Sequence, residues 1–131
     1  MGQPAAKQGD QITATDIHII MIPSPTGPVP TPLPHPFSGI INGGLSSDVL
    51  IEGMPAATVG STATNTPPHI PQGGPFQIPP TNQGRIITGS ATVLINGKQA
   101  ARSGDTAMTC NDPVEMPVGQ VVAVSMVLIG G

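Results

Sequence analysis

The chain repeats itself. The run Val49-Leu50-Ile51-Glu52-Gly53-Met54-Pro55-Ala56-Ala57-Thr58-Val59-Gly60-Ser61 is matched without gaps by Val93-Leu94-Ile95-Asn96-Gly97-Lys98-Gln99-Ala100-Ala101-Arg102-Ser103-Gly104-Asp105. Each copy reads as a short apolar strand, a polar-Gly turn, a second strand of small residues, and another Gly turn closed by Ser or Asp. A third copy is split between the ends. The chain finishes Val127-Leu128-Ile129-Gly130-Gly131 and begins Pro4-Ala5-Ala6-Lys7-Gln8-Gly9-Asp10. A unit cut by the termini is restored when the two ends lie side by side. The repeat therefore predicts a closed, pseudo-threefold fold whose first and last strands are neighbours. Closure also removes the exposed edges that an open sheet must protect.

The rest of the chain reads as strand and loop. Residues 17–22, 86–88, 92–95 and 120–129 are β-branched stretches bounded by Gly or Pro. No window carries a 3.6-residue apolar period, so helix is expected to be minor. The proline-dense segments Pro23–Pro36 and Pro67–Pro80 read as stiff loops packed over a small core, because a fixed φ lowers the entropy lost on folding. A flexible linker or a polyproline recognition site is the competing reading.

The core has little to build on. Among 131 residues there is no Trp, no Tyr and two Phe, against 17 Gly and 17 Pro. A small fold without aromatic side chains needs a staple: a disulfide, a metal or a partner. The single cysteine, Cys110, excludes an internal disulfide. Charged residues make up 8% of the chain and the net charge is −3, which lacks the strong charge of disordered chains. Lys7, Arg85, Lys98 and Arg102 form no basic stripe, so nucleic acid is not expected as a partner. No apolar run reaches the ~18–20 residues needed to span a bilayer. The N-terminus lacks the apolar region of a secretory signal, so the chain is expected to be made in the cytoplasm and to leave by another route.

A metal fits the need for a staple. The histidines are His18, His35 and His69. His18 follows Asp10 at the spacing at which His69 follows Ser61, and Cys110 follows the equivalent Asp105 a little sooner. Three of the four candidates thus fall once per repeat, where a pseudo-threefold fold brings them together near its axis. His35, from the proline-rich insertion, can supply the fourth ligand. Three imidazoles and a thiolate make a closed tetrahedral zinc site of structural type. The thiolate favours zinc over Fe(II), its chief competitor. Each residue also has a plain reading: a satisfied core histidine at His18, loop residues at His35 and His69, a buried thiol at Cys110. A catalytic zinc held by the three histidines with an open position would make Cys110 a bystander.

Pro4-Ala5-Ala6-Lys7, Pro55-Ala56-Ala57-Thr58 and Gln99-Ala100-Ala101-Arg102 resemble three variants of the Pro-Ala-Ala-Arg motif. With the order of histidines, proline-rich loop and late cysteine, nearly the whole chain resembles the PAAR-repeat spike-tip proteins. The resemblance implies an all-β, small conical closed fold of short strands and Pro-rich loops, stapled by zinc on His18, His35, His69 and Cys110. It implies a structural, non-enzymatic role as a single tip on the blunt end of a homotrimeric β-helical spike, in type VI secretion, extracellular injection particles or phage tails. Residues 1–131 are expected to form one tip domain without a toxin extension. Cargo would be a separate chain, and contact with the target membrane would be transient. A small zinc metallohydrolase and a proline-rich protein-binding adaptor are the two rival functions, and neither needs the threefold repeat.

Overall fold

The computed structural model describes residues 2–130; Met1 and Gly131, the last residue of the split repeat and one end of the expected domain, lie outside the described residues. The described residues contain strands and no helix. In chain order these are β1 (Gln3–Pro4), β2 (Gln11–Ile22), β3 (Val29–Gly43), β4 (Leu50–Ile51), β5 (Met54–Pro55), β6 (Thr62–Asn65), β7 (Gln83–Ile86), β8 (Leu94–Ile95), β9 (Lys98–Gln99), β10 (Thr106–Thr109), β11 (Met116–Val122) and β12 (Leu128–Ile129).

Six strands close a barrel in the order β10-β11-β2-β3-β6-β7. Each repeat gives that barrel one antiparallel pair. Between the pairs lie three small two-stranded sheets: β4 with β5, β8 with β9, and β12 with β1. The last is made by the two ends of the chain, with Gln3 opposite Ile129 and Pro4 opposite Leu128. The split repeat is restored as its sequence requires.

The threefold relation extends to single hydrogen bonds. Ala6 N–H donates to Ala101 O (3.0 Å), Ala101 N–H to Ala57 O (3.1 Å), and Ala57 N–H to Ala6 O (3.0 Å), closing a ring around the axis. Three backbones this close leave room for methyl groups and little more, and Ala5, Ala56 and Ala100 are fully buried beside the ring. Ile51, Ile95 and Ile129 pack against these alanines as one apolar layer. A second layer inside the barrel contains Ile12, Phe37, Ile41, Ile86 and Val121.

The turns repeat too. Gly9, Gly60 and Gly104 take φ of 93°, 97° and 93°, a region that residues with a Cβ rarely enter. Asp10, Ser61 and Asp105 then accept the backbone N–H of Lys7, Thr58 and Arg102 through their side chains, the turn chemistry of short polar residues.

Two expectations need correction. The strands are not all short: β2 has 12 residues and β3 has 15. They outrun the barrel, since β11 covers β2 from Gln11 to Thr13 and β6 covers β3 from Gly39 to Gly43. The first proline-dense segment is also not all loop. Pro30, Pro32, Pro34 and Pro36 lie within β3, opposite Met21, Ile19, Ile17 and Thr15. They occupy alternate positions, so every missing N–H falls on the side of the strand that carries no ladder, where proline is tolerated. The second segment does pack as loop along β2, with Met21 N–H donating to Pro75 O (2.9 Å) and Gln77 N–H to Ile19 O (2.8 Å). Residues 120–129 divide into β11 and β12, because the chain turns between the barrel and the β1–β12 hairpin. Ser125 Oγ accepts the Val127 N–H at that turn (3.3 Å).

Candidate metal centre

Strand alternation aims Asp16, His18 and Ile20 of β2 into the interior, and His35 and Phe37 of β3 likewise. His69 enters from the loop after β6, and Cys110 directly follows β10. His18, His35, His69 and Cys110 are all buried. Ring centroids are 4.9 Å apart for His18 and His69, 5.5 Å for His18 and His35, and 5.5 Å for His35 and His69. Imidazoles sharing one tetrahedral ion at about 2.0–2.1 Å per bond hold their centroids roughly 5 Å apart. Phe76 closes over this group, 5.8 Å from the His18 ring and 5.5 Å from the His35 ring.

The donor atoms of Asp16, His18, His69 and Cys110 all lie within 4.8 Å of one another. Asp16 was not among the sequence candidates. Its signal was its place two residues before His18 in a strand, which puts both on one face. His35 stands beside this group rather than in it. Its Nδ1–H donates to Leu33 O (2.9 Å), which leaves the lone pair on Nε2.

His18 gives the strongest sign of a missing partner. Its ring is buried, and neither nitrogen has a hydrogen-bond partner among the described residues. Asp112 Oδ1 lies 3.4 Å from Nδ1, near enough to attract and not placed to bond. Leaving a buried polar group unpaired costs about 1–3 kcal/mol, and metal coordination would use the orphaned nitrogen. Burial pushes the His18 pKa below the usual histidine value, against the opposing pull of Asp112. That favours the neutral ring a metal needs. Burial, reinforced by the nearby Asp16 carboxylate, pushes the Cys110 thiol up to about 11. A metal binding there at neutral pH must displace that proton.

Buried imidazoles and a buried thiol suit a structural transition-metal site. The residues present therefore fit a metal ion.

The sequence model of the PAAR motif matches residues 22–116 and again residues 76–131. No curated protein matches the chain. The two matched spans together cover both complete copies of the repeat and the C-terminal half of the split one. The chain belongs to the PAAR-motif family, the structural spike-tip proteins of contractile injection systems.

Proposed function

We propose that this chain caps a homotrimeric β-helical spike as a single tip, with its three small hairpins as the docking base and its metal-pinned end leading. One observation carries this reading. Leu50, Leu94 and Leu128 occupy the same place in the three hairpins and are 59%, 61% and 61% exposed, while the next residue in each, Ile51, Ile95 and Ile129, is buried. Single exposed leucines need no explanation. Three in pseudo-threefold register form a surface that one monomer can offer to three identical subunits.

At the leading end, His18, His35, His69 and Cys110 are proposed to hold one zinc. Zinc bound there would cross-link segments contributed by all three repeats. The histidine ring spacing, the orphaned His18 nitrogens and the thiol support this set. Iron is the less suited ion, because the thiolate and imidazoles match zinc. Residues 1–131 act as one tip domain. The protein is made in the cytoplasm, mounted on the particle, and meets the target membrane transiently as the spike pierces it.

Co-purification with a trimeric spike protein tests the docking base. Leu50→Asp and Leu94→Asp in one chain should abolish recovery of the complex while leaving the melting temperature of the free tip nearly unchanged, because both side chains are exposed. Undiminished recovery would refute the placement of the base.

A further inference from the structure

Among the described residues, Asp16 is the one carboxylate whose donor atom joins the metal-ligating group, and it is 0% exposed. Among the described residues, every hydrogen bond it accepts comes from a proposed ligand or a neighbour of one. His69 Nε2 lies 2.8 Å from its Oδ2 and Cys110 Sγ lies 3.4 Å from the same oxygen. Thr109 Oγ1 and Asn111 Nδ2, from the residues on either side of Cys110, both donate to Oδ1. A carboxylate offers about four acceptor sites, and these four donors use them. Asp16 therefore ties β2 to the β10 exit and to the loop of His69, with one element drawn from each repeat.

Resting on the metal site proposed above, we infer that Asp16 is the positioning residue of that site: a carboxylate outside the coordination sphere that fixes the His69 ring and the Cys110 segment relative to each other. Zinc in a structural site closes at four ligands, which His18, His35, His69 and Cys110 supply. A carboxylate hydrogen-bonded to a ligating imidazole sets that ring's tautomer and orientation. An imidazole that donates Nε2–H to Asp16 keeps its lone pair on Nδ1. The Asn65 amide donates to that Nδ1 at 3.3 Å, a contact that a metal bound at Nδ1 would displace. Asp16→Asn keeps the shape and puts an NH2 where His69 Nε2–H needs an acceptor once the Cys110 proton has left.

The test is zinc affinity of the full chain by competition with a chelator, paired with Co(II) absorption spectra. Asp16→Asn should weaken zinc about 10–100-fold, while its Co(II) spectrum keeps the thiolate charge-transfer band and the tetrahedral d–d bands of the parent. Affinity within about twofold of the parent would overturn the inference. So would X-ray absorption showing an oxygen ligand in the parent that the variant loses, since Asp16 would then be a ligand itself. Thr109→Val is the second variant if Asp16→Asn does not fold. It removes one donor to Oδ1 and should also weaken zinc with an unchanged Co(II) spectrum; unchanged affinity there counts against the role. A parent chain that binds no zinc defeats the metal site itself, which the Asp16 comparison alone cannot do.

Discussion

At the scale of single residues, His18 is a buried side chain whose unpaired nitrogen would gain a partner when metal binds. Structural zinc contributes on the order of 10–16 kcal/mol at neutral pH, which matches or exceeds the ~5–15 kcal/mol that separates most folded domains from unfolding. Cys110→Ser or His69→Ala should therefore lose the metal and lower the melting temperature severely, as elemental analysis and calorimetry of the purified variants would report. The thiol at about 11 sets a direction for pH. Metal uptake must release the Cys110 proton, so affinity should rise steadily with pH between about 6 and 8. The depressed His18 should add less to that slope than a free imidazole would, because burial favours its neutral ring. Affinity flat across that range would mean that the thiolate is not a ligand. That His18, His69 and Cys110 lie together was legible in the sequence, because the repeat register marks them. Asp16 was not, because a lone acidic residue between Thr15 and Ile17 carries no register and shows its importance through four donors drawn from distant segments.

At the scale of elements, the small hairpins were legible because each polar-Gly pair announces its turn; Glu52-Gly53 and Asn96-Gly97 have positive φ at both positions. The long β3 was not legible. Its prolines argue against a strand until one knows that a single side of it is paired. That asymmetry can be measured. Pro32→Ala should change stability by less than about 1 kcal/mol. Thr31→Pro, one position away and opposite Ile20, should cost about 1–3 kcal/mol by removing a donor that faces β2. Denaturant melts of the two variants would show the difference, and equal costs would contradict the strand pairing. The break between β11 and β12 was likewise hidden, because residues 120–129 are β-branched on both sides of the bend. It is set by where the β1–β12 hairpin leaves the barrel.

At the scale of the whole molecule, closure was the most legible property. A repeat cut by its own termini can be completed in one way, and the β1–β12 pairing completes it. A circular permutant joining the present ends through a short linker, with new ends between Gln72 and Gly73 in the exposed loop, should fold and melt within a few degrees of the parent. Failure of that permutant to fold would show that the present chain order matters beyond the contacts it makes. The function proposed for the closed molecule depends on symmetry mismatch: one pseudo-threefold chain facing three identical chains. Native mass spectrometry of the isolated complex with a trimeric spike protein tests this most directly. The account predicts three spike chains with one copy of this chain, and a complex of three spike chains with three copies would contradict it.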